Sequence, residues 1–370
     1  MEQYFNVKNN FGFGCMRLPL KGKDIDYETF SKMVDVFLEN GFNYFDTAHG
    51  YMDGKSELAL KKCLTSRYPR EQYVLTDKLS THHFNRQEEI RPLLESQLQA
   101  CGVEYFDFYL MHAQDKNIFE KYKRCHAYET ALALKEEGKF KHFGISFHDK
   151  AEVLEEILKE YPQIEVVQIQ FNYVDYEDPA VESRKCYEVC QKYQKPVIVM
   201  EPVKGGNLVH LPQEAQDLIQ KLNGGSAASY AIRFAASFPG IMMVLSGMSD
   251  LEMVQENVGF MKDFKPLDTK EMETIQKITE IFHSMNLIPC TACKYCMEQC
   301  PKHIAIPGLF ACLNAKKHFN DWNADYYYHN IQTSSGRKAS DCIRCGRCEK
   351  ICPQHLPIRD LLVEVQKEFE

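Results

Sequence analysis

Asp46-Thr47-Ala48-His49-Gly50-Tyr51 marks the point where a short β-branched and aromatic run, Tyr44-Phe45-Asp46-Thr47, gives way to a polar loop. The pattern predicts a strand with Asp46 at its C-terminal end and Tyr51 in the following loop. Three later strand ends supply matching pieces: Lys78 in Val74-Leu75-Thr76-Asp77-Lys78, His112 in Phe108-Tyr109-Leu110-Met111-His112, and Ser146 in Gly144-Ile145-Ser146. A carboxylate, a phenol, an ammonium and an imidazole at successive strand ends make a proton-transfer set. In a (β/α)8 barrel such ends form the catalytic edge.

Outward from that stretch, strand-like and helix-like runs alternate eight times. Phe11 to Met16 pairs with a helix over Tyr27 to Glu39, which Asn40-Gly41 terminates. Phe42 to Thr47 pairs with Lys55 to Ser66, and Tyr73 to Leu79 with Arg86 to Ala100. Phe106 to His112 opens the fourth unit, whose helix ends near Glu137-Gly138. His142 to Phe147 with Lys150 to Glu160, and Val166 to Asn172 with Pro179 to Tyr193, are the next two. Pro196 to Glu201 precedes a loop carrying Gly205-Gly206 and Gly224-Gly225, then a helix from Ser226 to Ser237. Met242 to Gly247 with Asp250 to Gly259 is the eighth. Strands alternating with amphipathic helices indicate a parallel sheet covered by helices, and eight units favour closure into a TIM barrel. Gly12-Phe13-Gly14 lacks the third glycine of a dinucleotide fingerprint.

The chain has 370 residues, enough for a barrel of ~250 residues plus a small second domain. Hydrophobic residues make up 44% and charged residues 26%, so it can build a real core. A net charge of -8 argues against a nucleic-acid partner, which needs a basic face. Met1-Glu2-Gln3-Tyr4 opens no signal-peptide pattern, and no apolar run approaches the ~18 residues of a membrane span. A cytoplasmic protein without a membrane partner is expected. The 15 cysteines then read as thiols or metal ligands, not disulfides.

Thr269 to Ser284 is one more amphipathic helix, and from Pro289 onward cysteines are dense and strand signals vanish. Cys290, Cys293, Cys296 and Cys300-Pro301 have the spacing C-x2-C-x2-C-x3-C-P, and Cys342, Cys345, Cys348 and Cys352-Pro353 repeat it. This is the bacterial ferredoxin run, in which the fourth cysteine of each run ligates the other cluster. Cys290, Cys293, Cys296 and Cys352 are assigned to one [4Fe–4S] cluster, and Cys342, Cys345, Cys348 and Cys300 to the other. Zinc also uses C-x2-C pairs, but a duplicated four-cysteine run ending in Cys-Pro favours two clusters. The 41 residues between the runs contain a helical stretch, Gly308 to Lys317, and Ile358 to Phe369 is another. We expect a barrel over 1–285 and a small, mainly helical ferredoxin-like iron–sulfur domain over 286–370. Cys15, Cys63, Cys101, Cys125, Cys186, Cys190 and Cys312 read as ordinary thiols.

Gly12-Phe13-Gly14-Cys15-Met16-Arg17, Asp46-Thr47-Ala48-x-x-Tyr51, Lys78, His112, Gly144-Ile145-Ser146 and Val167-Gln168 resemble the aldo-keto reductase family in order and spacing, over roughly residues 5–280. The domain pair resembles the iron–sulfur aldo-keto reductases, which add a ferredoxin-type tail. The resemblance implies reduction of a small-molecule carbonyl by NAD(P)H. Tyr51 would be the proton donor, Lys78 would lower the phenol's pKa, Asp46 would hold Lys78, and His112 would polarise the substrate oxygen. A buried Asp–Lys pair and a core histidine also occur as purely structural features. His49 reads as a loop contact to substrate.

By the same resemblance Ser146 and Gln168 would hold the carboxamide, and Gly14 and Met16 would approach the nicotinamide ribose. Lys204 and Gly206 would take the pyrophosphate, and Gly247, Glu256 and Asn257 the adenosine end. Three departures stand out. Phe147 replaces the usual Asn, Glu201 falls near the stacking aromatic, and Ser246 to Met253 carries two acids and no base. The last points towards NADH. A competing reading is an electron-transfer protein whose clusters serve a redox partner, the barrel being a ligand-binding scaffold. The loops expected to set substrate, 114–128 and 203–225, carry no recognisable motif.

Overall fold

The computed structural model describes residues 4–5, 7–179, 181–222, 224–285, 287–319 and 324–370. Eight parallel strands close into a barrel: β1 (Phe11–Gly14), β2 (Tyr44–Asp46), β3 (Val74–Leu79), β4 (Phe106–Gln114), β5 (Phe140–Phe147), β6 (Val166–Gln170), β7 (Val197–Met200) and β8 (Ile241–Gly247). Each pairs with the next in sequence, and β8 returns to β1. The chain clusters into two compact units. The first, Met1–Glu177, Glu182–Pro202 and Ala228–Asp268, holds all eight strands. The second takes Asp178–Val181, Val203–Ala227 and Thr269–Glu370.

Period-two alternation sorts the strand residues. On β3 the Lys78 ammonium meets Asp46 of β2, while the neighbouring Asp77 meets Gln97 and Cys101 of the helix Ile90–Cys101. Within the barrel, Tyr44, Val74, Phe108, Leu110, Val166 and Ile198 form one buried cluster, with Tyr4 and Phe5 packed against it. Gly144 on β5 leaves no room for a side chain: a Cβ there would stand 2.6 Å from both Leu110 and Val166. Only glycine lets these strands approach.

The expected third helix starts later than its pattern suggested, at Ile90 after a short 3-10 turn. Pro92 explains this. It lacks an N–H and fits the first turn of a helix, where none is needed, not the interior. The second helix is α-helical only over Lys55–Leu60 and widens to a π-turn over Lys61–Thr65. The fourth unit carries two helices, Lys116–Arg124 and Ala127–Glu136, broken at His126 with φ 47°. Neither substrate loop is wholly irregular. Asp115 caps the helix over Lys116–Arg124 by accepting the Ile118 N–H at 2.7 Å, and Gln213–Gln220 is helical.

The described residues beyond 287 contain helices and no strand. Ile306–Phe319 and Ile358–Phe369 are the longest helices there, where the sequence placed them. Ile304, Leu309, Phe310, Leu362 and Val365 form their core with Cys296, Cys312 and Cys348. No helix among the described residues is long and apolar enough to cross a membrane.

Candidate active site

Strand register brings Asp46 and Lys78 together. Asp46 pairs with Gly14 of β1 and Thr76 of β3, and Lys78 lies two residues further along β3. The Lys78 ammonium donates to Asp46 Oδ1 at 2.5 Å, to the Thr47 carbonyl at 2.7 Å and to the Tyr51 hydroxyl at 3.4 Å. An ammonium has three N–H groups, and all three are used. Both charged side chains are buried. Burial pushes the Asp46 carboxyl up, against the opposing pull of Lys78. Gln168 adds a donor, its Nε2 standing 3.4 Å from Asp46 Oδ2.

The Tyr51 loop is fastened at both ends. The Tyr51 N–H donates to the Ala48 carbonyl, and the Ser56 N–H donates to the Tyr51 carbonyl. The Ser56 hydroxyl bonds the Cys15 carbonyl and meets the Thr47 hydroxyl, both at 2.8 Å. Across the loop, the His112 ring lies 6.0 Å from the Tyr51 ring at 74°. His112 Nδ1 is 2.5 Å from the Ser80 hydroxyl. Burial and the nearby Lys78 charge hold this imidazole well below its ordinary range, so it is neutral. Ser146 accepts the Ala113 N–H at 2.7 Å, where β4 shifts register and Ala113 takes φ 52°.

Gly14 and Gly247 pair in register at the ends of β1 and β8. Met16 is half-buried, Asn257 is buried with its Nδ2 3.3 Å from the Ser246 hydroxyl, and Glu256 is exposed. Asp250 caps the helix Leu251–Lys262, accepting the Met253 N–H at 2.8 Å. Phe147 is buried. The Glu201 carbonyl accepts from Asn172 at 3.0 Å. Lys204 and Gly206 belong to the second unit; Lys204 is buried, and nothing lies within 4 Å of where a Gly206 Cβ would stand.

Sequence reasoning passed over several contributors. Ser80 lies one residue past the expected strand. Arg17 closes the first motif, and its guanidinium comes within 3.9 Å of a Cβ built on Gly247. His49 is bound within the protein: its Nδ1 lies 3.0 and 3.1 Å from the two Glu57 carboxylate oxygens.

In the second unit, Cys296 and Cys348 are buried, Cys345 is exposed, and Cys290, Cys293, Cys300, Cys342 and Cys352 lie between. The electrostatic neighbours of Cys296 are Cys293, Cys290, Cys352 and Cys348, drawn from both runs. Cys342 neighbours Cys348. Among the described residues no three His, Cys, Asp or Glu side chains surround a single ion position. A four-iron cluster takes one thiolate at each iron, so its ligands stand apart, and the thiolate set fits it. The loop after β7 is joined to this region: the Asn207 Nδ2 donates to the Cys290 carbonyl at 3.1 Å. Gly205, with φ 67°, lies so close that a Cβ would stand 2.4 Å from the Thr291 carbonyl oxygen.

Comparison with known proteins adds independent findings. The model of the aldo/keto reductase family matches residues 10–280, and that of the 4Fe-4S dicluster domain matches residues 289–356. A Bacillus subtilis (strain 168) protein named uncharacterized oxidoreductase YqkF is 23% identical over 306 residues, covering 73% of this chain and 92% of its own. The holo form of an aldo-keto reductase from Bacillus halodurans is similar with a TM-score of 0.59 and 24% identity, over 73% of this chain and 91% of that one. An aldo-keto reductase from Klebsiella pneumoniae in complex with NADPH is similar with a TM-score of 0.60 and 17% identity, over 74% and 95% of the two chains. These two structures show the shared fold.

Proposed function

Because the chain belongs to the aldo/keto reductase family of oxidoreductases and carries a 4Fe-4S dicluster domain, we propose that it reduces the carbonyl of a small aldehyde or ketone. The observation that carries this reading is the buried Lys78 ammonium, which bonds Asp46, the Thr47 carbonyl and Tyr51 at once. A bound nicotinamide would supply the hydride for the carbonyl carbon. Tyr51 gives its proton to the carbonyl oxygen, so the products are an alcohol and the oxidised cofactor. A phenol with a pKa of ~10 is a poor acid near neutrality, and an adjacent ammonium favours its ionised form. Asp46 keeps that ammonium charged and aimed. With Nδ1 of neutral His112 accepting the Ser80 proton, its other nitrogen carries the hydrogen and donates to the carbonyl oxygen.

For the cofactor, the Ser146 hydroxyl and the Gln168 amide supply a donor and an acceptor for a carboxamide. Gly14 and Met16 would approach the nicotinamide ribose, Lys204 and Gly206 the pyrophosphate, and Gly247, Glu256 and Asn257 the adenosine. NADH is favoured slightly, since Asp250 already places a carboxylate at the helix N-terminus. Cys290, Cys293, Cys296 and Cys352 would hold one [4Fe–4S] cluster and Cys342, Cys345, Cys348 and Cys300 the other, supplying one-electron chemistry. We set the division of labour at about residue 285. Thiol-ligated clusters suit a reducing cytoplasm.

The second reading, electron transfer with a redox partner protein, draws on the exposure of Cys345 and of Ile343, which is 58% exposed beside it. One experiment separates the two. Aldehydes, ketones and sugars are screened with NADH and NADPH without oxygen, in wild type and Tyr51→Phe. Carbonyl reduction should fall by about 10²–10⁴-fold in the variant with cofactor affinity unchanged, whereas reduction of an artificial one-electron acceptor should persist. Carbonyl turnover that survives in Tyr51→Phe removes Tyr51 from the mechanism.

A further inference from the structure

The second cysteine run lies in a different electrostatic setting from the first. Between residues 337 and 350 stand five cations, Arg337, Lys338, Arg344, Arg347 and Lys350, against two acids, Asp341 and Glu349, on a chain whose net charge is -8. The first run, 290–300, carries one of each sign, Lys294 and Glu298. All five cations are exposed. Arg344 is taken up within the fold: its guanidinium donates to Asp360 Oδ1 at 2.8 Å and to the Arg359 carbonyl at 3.3 Å. Glu349 is taken up by Arg359, whose Nε donates to it at 2.8 Å. Arg337, Lys338, Arg347 and Lys350 form no ion pair among the described residues.

Cys345 lies among these charges. It is exposed, whereas Cys342 is half-buried and Cys348 buried. Arg344, with φ 55°, and Gly346, with φ 74°, turn the backbone on either side of it. A Cβ on Gly346 would stand 3.7 Å from the Arg359 guanidinium, so the turn rests against the helix Ile358–Phe369. Arg347 and Lys350 begin and end the short helix that follows. Ile343 is 58% exposed. Ile343 and Arg347 are each two residues from Cys345, so their Cα atoms lie at most about 7 Å from its own. An exposed apolar side chain beside unpaired cations has the make-up of a contact surface with a polar rim.

We propose that the face around Cys345 docks an acidic protein that carries one electron. Arg337, Lys338, Arg347 and Lys350 meet its carboxylates, and Ile343 gives the contact an apolar centre. The electron-carrying role rests on the reading that Cys300, Cys342, Cys345 and Cys348 hold a [4Fe–4S] cluster. The exchange balances with a single electron: the carrier is oxidised by one as the group at Cys345 is reduced by one, or the reverse. No bond is made or broken and no proton moves. An exposed ligand leaves a docked carrier the shortest gap to cross.

Charge selects the partner's sign. At 0.15 M ionic strength the Debye length is about 8 Å. A protein at contact therefore feels the local cations and little of the acids elsewhere on the chain. A nucleic acid needs a broad basic face, and Ile343 offers nothing to a phosphate backbone.

The test uses the full chain purified without oxygen, its iron and sulfide measured first. After reduction with dithionite it is mixed by stopped flow with ferricyanide, an anion, or with hexaammineruthenium(III), a cation, at rising salt. Oxidation by ferricyanide should slow as salt rises, and oxidation by the ruthenium complex should quicken. Arg347→Glu with Lys350→Glu should lower the ferricyanide rate at low salt about tenfold and reverse both salt slopes, with iron content unchanged. Arg337→Glu with Lys338→Glu should shift the slopes the same way, which keeps the test open if the first pair does not fold. Lys262→Glu with Lys265→Glu, at two exposed positions of the first unit, makes the same change in net charge and should keep the wild-type slopes. Slopes unchanged in both 337–350 variants, or moved as far by the control pair, overturn the docking face. Surface plasmon resonance reads docking without electron flow, against an acidic plant-type ferredoxin, basic cytochrome c and a single-stranded thymidine oligonucleotide. The ferredoxin should bind most tightly, and about tenfold more weakly to the Arg347→Glu, Lys350→Glu variant. Ferredoxin binding no tighter than that of cytochrome c or the oligonucleotide overturns the acidic partner. Wild type without iron and sulfide overturns the cluster reading instead, and the binding measurement then still decides whether this face takes an acidic protein.

Discussion

The two sets of candidate functional residues are held in different ways. In the first unit the protein itself completes the geometry: the Lys78 N–H groups have three protein acceptors, and His112 has Ser80. In the second unit Cys296 and Cys348 belong to the apolar core, with Cys290, Cys300, Cys342 and Cys352 packed at its edge. The first site is made by folding alone. In the second, the side chains that would bind a cluster are also the ones that fill the core, so metal and fold are coupled.

The hardest blow to this contrast would come from Lys78→Met. Removing one partner of a buried ion pair costs about 3–5 kcal/mol, and carbonyl reduction should fall by at least ~10² while iron content stays at the wild-type level. Loss of iron in this variant, measured by metal analysis, would show that the two sites do not fold independently. Cys296→Ala probes the other side. Iron and acid-labile sulfide should fall from about eight to about four per chain, and the second unit should melt earlier while Tyr51-dependent turnover persists. Zinc without sulfide in the wild type would sink the cluster assignment. The smallest effect concerns the cofactor. NADH should bind at least as tightly as NADPH in a fluorescence titration, and Arg17→Ala, at the base nearest Gly247 that we identify, should leave that order unchanged. A tenfold preference for NADPH, ~1.4 kcal/mol, would mean that Arg17 or another base reaches the 2′-phosphate despite Asp250.

The same contrast decides what the sequence revealed. The strands were legible because β-branched and aromatic runs end in polar residues, and Asp46, Lys78 and His112 stand at those ends. The cysteine spacing is a local signal and needed no structure. Contacts between distant residues of unremarkable type were not legible. Ser80 binds His112 from 32 positions away, and nothing in Leu79-Ser80-Thr81 announces it. Asp77 was in plain view inside the β3 pattern, but its side-chain partners Gln97 and Cys101 meet it only in the fold. The helix Gln213–Gln220 went unseen because its apolar positions are few, Ala215 and Ile219 being the buried ones. Asp115, by contrast, is an N-cap residue that a closer reading of 114–128 would have used.

The discontinuous make-up of the second unit has a consequence for how the chain is made. Gly205 and Asn207 are translated well before their partners Thr291 and Cys290. At ~5–20 residues per second, the intervening stretch takes on the order of ten seconds to leave the ribosome. All eight strands have been synthesised before Cys290, the first cysteine of the two runs, appears. The 203–227 segment has to wait as an unfinished seam on the nascent chain. On a chain cut short before Cys290 that segment would lack its partners, and limited proteolysis should cut it before the sheet.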